Sequence, residues 1–184
     1  MEVAVKLTRL FLLLLSILCF ATMGSSQPQN TQANSEAAKQ VYAYMQEGSA
    51  FYLEHDFKRA IPPYQKALDL EKKQPTLDKT LWRVLVDNLG MSYGISGDLK
   101  KAKETFTYGL EKDPKYPMFH YNMACTYAEM NDMEKTIVYL KQAFEYKENM
   151  IKGERMPDPW TDDSFQRFIN NEKFVNALKE LNRD

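Results

Sequence analysis

One pattern in this chain recurs at a spacing of 34 residues, and it limits the fold more than any other feature. The middle copy runs Val86, Leu89-Gly90, Tyr93, then Ala102 and Phe106, and closes at Pro114. Moving 34 residues on gives His120, Met123-Ala124, Tyr127, then Thr136, Leu140 and Ala143, with no gap in either half. Moving back gives Tyr44, Glu47-Gly48, Phe51, then Ala60, Tyr64 and Ala67, at a spacing of 42 rather than 34. The extra residues fall around Lys72–Lys79 and are expected to lengthen the connection near Pro75.

Within each copy the apolar residues recur at helical spacing, and the copy divides into two helices at a polar turn. The turns are His55-Asp56, Ser96-Gly97-Asp98 and Asn131-Asp132. Asp is a strong N-cap for the helix that follows, and Gly97 tolerates a positive φ. Small residues (Gly48, Gly90, Ala124, Ala60, Ala102) sit where two helices approach closely, and large ones (Phe51, Tyr93, Tyr127, Tyr64, Phe106, Leu140) fill the space between.

This arrangement resembles the tetratricopeptide repeat over roughly residues 41–150, with units at about 41–74, 83–116 and 117–150. The third unit departs most from the pattern: Ala124 replaces glycine, Thr136 replaces alanine, and no proline closes it. The resemblance implies an all-α fold, a short α-solenoid of three helix pairs. Such a stack needs a terminal cap. After Ile151, the stretch Lys152–Pro159 reads as a loop. Two short apolar patterns then close the chain, Phe165/Phe168/Ile169 and Phe174/Val175/Leu178/Leu181, split by Asn170-Asn171. Residues 152–184 are therefore expected to be a loop and a C-terminal helical cap.

The start of the chain is different. Lys6 and Arg9 precede an apolar run, Leu10–Ala21, broken only by Ser16. That layout reads as a secretory signal peptide over residues 1–21, with cleavage after Ala21 or as late as Gly24. The run is shorter than the ~20 residues a membrane span needs, and an uncleaved signal anchor is the alternative. Gln27–Asn34 is polar, so residues 22–34 read as a flexible spacer and Ser35 as the N-cap of the first helix. The chain is thus expected to be exported, periplasmic or secreted. The absence of an Asn-x-Ser/Thr sequon leans towards a bacterial envelope protein. With Cys19 removed, Cys125 is the one remaining cysteine, so stability must come from helix packing.

The net charge of −1 is spread without a basic stripe, which speaks against a nucleic-acid partner; pairs such as Lys72-Lys73 read as solvated helix faces. No phosphate-cradling glycine loop and no metal-spaced Cys/His set is present, so neither an enzyme nor a cofactor is expected. His55 falls in a turn and His120 at a core position. Cys125 has no neighbouring base in sequence, and Asp162-Asp163 read as N-cap residues of the tail.

Binding is the expected activity. In the tetratricopeptide family the first helix of each unit lines a concave groove. Carried over by position, the groove is Tyr42, Met45, Ser49 and Tyr52, then Val84, Asp87, Asn88, Met91 and Ile95, then Met118, Tyr121, Asn122, Cys125 and Glu129. This is an apolar, Met-containing surface suited to a peptide or helix. Asn88 and Asn122 sit one repeat apart, and each offers a donor and an acceptor. The basic clamp of chaperone-binding members is missing: of Met45, Ser49, Asn88, Met118 and Asn122, only Asn88 fits it. The expected partner is a protein or peptide. The alternative is a structural subunit whose groove is filled by its own tail or by a homo-oligomer.

Overall fold

The computed structural model describes residues 30–181. The signal-peptide reading of residues 1–21 and the first part of the spacer lie outside them. The elements are α1 (Asn30–Leu53), α2 (Phe57–Lys73), α3 (Lys79–Ile95), α4 (Leu99–Lys112), α5 (Pro117–Glu129), α6 (Met133–Glu145) and α7 (Glu172–Leu181), with 3₁₀ segments at Lys147–Asn149 and Asp163–Phe168. No strand occurs among the described residues. Helix α1 begins at Asn30, inside the segment read as spacer, so Ser35 lies within the helix rather than capping it.

Three antiparallel pairs, α1/α2, α3/α4 and α5/α6, stack in chain order. The three turns inside them are built alike. His55, Gly97 and Asn131 take left-handed φ values of 60°, 89° and 60°. The next residue, Asp56, Asp98 or Asp132, donates its N–H back to Phe51, Tyr93 or Tyr127 at 2.9 Å, which satisfies a terminal carbonyl of the first helix. The same aspartate then accepts the N–H of Arg59, Lys101 or Lys135 at 3.1 Å and so caps the second helix. One short stretch therefore ends one helix and starts the next, three times over.

Inside the pairs, a ring packs on a residue without a Cβ. A Cβ on Gly48 would come within 2.7 Å of the Tyr64 ring, and one on Gly90 within 2.5 Å of the Phe106 ring. In the third pair Leu140 replaces the ring, and Ala124 replaces glycine. The added bulk on one helix matches the lost bulk on the other, which explains the departure in that unit.

The eight extra residues between the first two units form mostly helix rather than loop. Compared with the next unit, α2 runs three residues further, α3 starts four earlier, and the link gains one. The link is organised by Glu71, a buried side chain whose carboxylate accepts the backbone N–H of Thr76 (2.9 Å) and of Leu77 (3.1 Å).

The core is two clusters that meet along α5. Val41, Tyr64, Leu85, Val86, Leu89, Phe106 and Phe119 anchor the first. Tyr121, Ala124, Leu140, Phe165, Phe174 and Leu178 anchor the second, which joins the third pair to the tail. The expected cap is present, in the form of an abbreviated fourth pair. Arg167 on the 3₁₀ segment pairs with Glu129 of α5 at a separation of 38 residues. Lys173 and Glu180 of α7 pair with Glu134 and Lys141 of α6, both at a separation of 39. The 3₁₀ segment thus runs along α5 and α7 along α6, as the two helices of a further repeat would.

Candidate functional site: the inner helix face

The first helices of the pairs, α1, α3 and α5, carry the positions read as a groove. The structure divides them into three groups. Tyr42 (42% exposed) and Ile95 (53% exposed) are open to solvent. Tyr52, Val84, Asn88, Met91, Met118 and Cys125 are half-buried. Met45, Tyr121 and Asn122 are buried.

Met45 belongs to the first core cluster and is only 7% exposed. The amide pair is also engaged inside the fold. Asn88 donates from Nδ2 to the Tyr64 hydroxyl at 3.0 Å, and Ser49 shares a hydrogen bond with that same hydroxyl at 3.0 Å. Asn122 donates from Nδ2 to Asp87 Oδ1 at 2.6 Å, tying α5 to α3. Each amide therefore has one N–H fixed between helices.

The third unit's share of the face is covered by the chain's own tail. The Tyr121 hydroxyl donates to Asp162 Oδ2 at 2.9 Å, and the Tyr121 ring meets the Phe165 ring edge-on. The Cys125 thiol lies 4.0 Å from the same Asp162 oxygen, and burial pushes its pKa well up, which disfavours the reactive thiolate. Asp162 also caps the 3₁₀ segment through Ser164 N–H at 2.9 Å, as its sequence position implied. Nearer α3, the Tyr116 hydroxyl donates to Glu154 at 2.8 Å. Sequence reading missed Tyr116, Glu154 and Asp162 as partners on this face. They lie 38 and 41 residues apart, and no local pattern announces such a contact.

Asp87 stands at the centre of the face. Burial, foremost, and the nearby Glu154 carboxylate push its pKa up to about 7, against the pull of the Asn122 hydrogen bond. The Tyr52 hydroxyl from α1 is raised by burial first and then by Asp87. The nearest strong base on α3, Arg83, is committed elsewhere: it donates to Asp113 at 2.7 Å and lies over the Tyr116 ring.

His55 occupies the first turn and packs on Phe57. His120 is buried, with its Nε2 2.7 Å from the Pro114 carbonyl, and burial lowers its pKa. Both fit their structural reading. Among the described residues no group of three His, Cys, Asp or Glu could hold a metal ion, and no helix is long and apolar enough to cross a membrane.

Stacked antiparallel helix pairs, joined by identical capped turns and closed by a terminal cap, define the class of helical repeat scaffolds. Residues 119–150 match the family model of the tetratricopeptide repeat. This is the unit that departs most from the pattern by eye. The chain is similar to the photosystem I assembly protein Ycf3 from a strain of Prochlorococcus marinus, 31% identical over 123 residues, which is 67% of this chain and 65% of that protein. It is similar to Ycf3 of Cyanophora paradoxa, 29% identical over 125 residues, 64% of this chain and 69% of that one. The chain thus spans about two thirds of the length of these relatives. In fold it is similar to the Sgt2 tetratricopeptide domain of Aspergillus fumigatus, with a TM-score of 0.53 and 21% identity, covering 79% of this chain and 83% of that one. The chain belongs to the tetratricopeptide-repeat family. Its fold is that of a protein–protein interaction module.

Proposed function

We propose that the chain is an exported assembly factor or adaptor that holds a peptide or helix of another protein against the inner faces of α1 and α3. The observation that carries this reading is the uneven cover of the groove. Tyr42 and Ile95 are open, with Val84 and Met91 half-buried beside them, whereas the inner face of α5 is under the tail. Apolar side chains left open on a repeat scaffold fit a partner better than they fit water. The names of the relatives add support, because they call those proteins photosystem I assembly proteins.

A photo-crosslinking residue at Ile95 tests the groove, with one at Val138 on α6 as the outer-face control. Partner adducts are expected from Ile95 and not from Val138. Equal yields at the two positions, or none at Ile95, would sink the groove assignment. Intact mass of the protein from its own compartment tests export: a mature chain starting at Thr22 or Ser25 is expected.

The contacts of Tyr121 and Cys125 with Asp162 favour a second reading at the third unit, in which the groove is filled by the chain's own tail. The binding surface would then be shorter than the repeat count suggests and would end at α3. Light scattering separates this from filling by a second copy, since self-coverage leaves the mature chain monomeric.

A further inference from the structure

The open part of the inner face is apolar at its lip and carries one carboxylate in its middle. Leu53 (70% exposed) ends α1, and Ile95 (53% exposed) ends α3 at the equivalent repeat position. Ile95 shares a shallow cleft with Glu54 and His55, the residues just after Leu53, so the two apolar ends lie along one edge. Asp87 lies two turns before Ile95 on α3. The half-buried Val84 and Met91 flank it one turn away on either side.

Asp87 is half-buried and accepts a single hydrogen bond, from Asn122 Nδ2 to Oδ1 at 2.6 Å. Among the described residues nothing pairs with its second oxygen, and no cation lies within ion-pair distance. Arg83, one turn earlier, is engaged elsewhere. Its Nε donates to Asp113 at 2.7 Å, its Nη1 donates to the Asn149 carbonyl at 3.2 Å, and its guanidinium lies over the Tyr116 ring. Lys79, at the start of α3, also pairs with Asp113, at 3.2 Å. The carboxylates nearer the tail have neutral donors: Glu154 accepts from the Tyr116 hydroxyl at 2.8 Å, and Asp162 from the Tyr121 hydroxyl at 2.9 Å. Among the described residues the exposed Lys152 and Arg155 form no ion pair with either. From α1 the inner positions are Tyr42, Ser49 and Tyr52, which bring no cation. A half-buried carboxylate without a cation is unfavourable, and a cation brought to it gains more than it would in open water. Burial, first, holds the Asp87 pKa at about 7, and a cation at the second oxygen would lower it.

We propose that the open face of α1 and α3 takes a basic, amphipathic segment of another protein, with one Lys or Arg side chain on Asp87 and apolar side chains against Val84, Met91, Leu53 and Ile95. This partner chemistry rests on the groove reading above and makes it specific. Asn88 adds to it. Its Nδ2 already donates to the Tyr64 hydroxyl at 3.0 Å, and among the described residues no donor reaches its Oδ1. An amide oxygen next to a carboxylate oxygen fits the several N–H donors of a Lys or Arg head group. An acidic or phosphate-bearing segment would instead meet Asp87, Glu154 and Asp162 with like charge.

Phage-displayed random peptides of about 12 residues supply the probe, selected on the protein as recovered from its own compartment. Selection at about pH 8 keeps Asp87 ionised. Groove binders are those that crosslink to a photo-reactive residue at Ile95. They are expected to be enriched in Lys or Arg between apolar residues. Their affinity should fall about tenfold on Asp87→Asn and should weaken as salt rises. Asp87→Asn keeps an oxygen for Asn122 and removes the charge. Glu111→Gln, on the exposed side of α4, makes the same charge change away from the inner face and should leave affinity unchanged. Groove binders without basic enrichment, or with affinity unchanged by a folded Asp87→Asn, overturn the proposal and leave the groove reading standing. If Asp87→Asn does not fold by circular dichroism, the composition of the peptides and their salt response on the unaltered chain decide alone. No adduct at Ile95 refutes the groove itself, and the basic partner with it.

Discussion

Each of the three hairpin turns hinges on one left-handed residue, but only one of them is glycine. His55 and Asn131 have a Cβ at φ 60°, where most L-residues are strained. Asn tolerates this region better than His does. His55→Gly should therefore raise stability by roughly 1 kcal/mol, and Asn131→Gly by less, as read by urea denaturation. Gly97→Ala should cost roughly 1 kcal/mol by backbone strain alone, since nothing lies within 4 Å of the added Cβ. Gly90 is the opposite case. Its backbone is helical, and the obstacle is the Phe106 ring at 2.5 Å. Alanine there should destabilise despite its better helix propensity, and Gly90→Ala should turn favourable in a Phe106→Leu background. The third unit already carries that combination as Ala124 and Leu140. A double-mutant cycle should give a coupling of roughly 1–3 kcal/mol. Additivity of the two changes would show that the ring moves aside freely.

At the scale of the elements, the sequence was most legible where the signal was periodic. The three turns and their aspartate caps recur at spacings of 42 and 34 residues, and all fall where those spacings put them. The ends of helices were harder to read. Polar residues such as Asn30–Asn34 have no apolar face to mark them, yet α1 extends through them. Pro62-Pro63 lies inside α2, with Pro63 buried, where a local rule alone would end the helix. The insertion after the first unit was visible as a count of residues. Its form was not, because it depends on Glu71, which gathers the Thr76 and Leu77 amides in a buried site. Glu71→Ala should leave both N–H groups without their acceptor and cost roughly 1–3 kcal/mol. The loss should appear first as faster exchange at residues 74–82, ahead of the third unit, because repeats unfold through their nearest neighbours. Uniform acceleration along the whole chain would instead show that the link holds no local stability of its own.

At the scale of the whole molecule, the tail both ends the stack and covers part of its inner face. The existence of a cap was readable from the two Phe-centred patterns. Its course was not, because the contacts of Asp162 with Tyr121 and of Glu154 with Tyr116 join residues about forty apart, and only the packed structure brings them together. The cap completes the second core cluster with Phe165, Phe174 and Leu178, all at or below 1% exposure. Without these side chains, Tyr121, Ala124 and Leu140 on the last pair would face water. Phe174→Ala should therefore cost about 3–5 kcal/mol, as is usual for deleting a buried ring. The loss should fall mainly on α5 and α6, since the first cluster draws on Val41, Leu85 and Phe106 and makes no use of the capping helices. Chain termination after Ile151 should have a larger effect, exposing the end of the stack and leaving a species that binds a hydrophobic dye and associates in light scattering. If that shortened chain remained a monomer with an unchanged melting temperature, the tail would be a covering strap alone, and the third pair would have to be stable with its last face open.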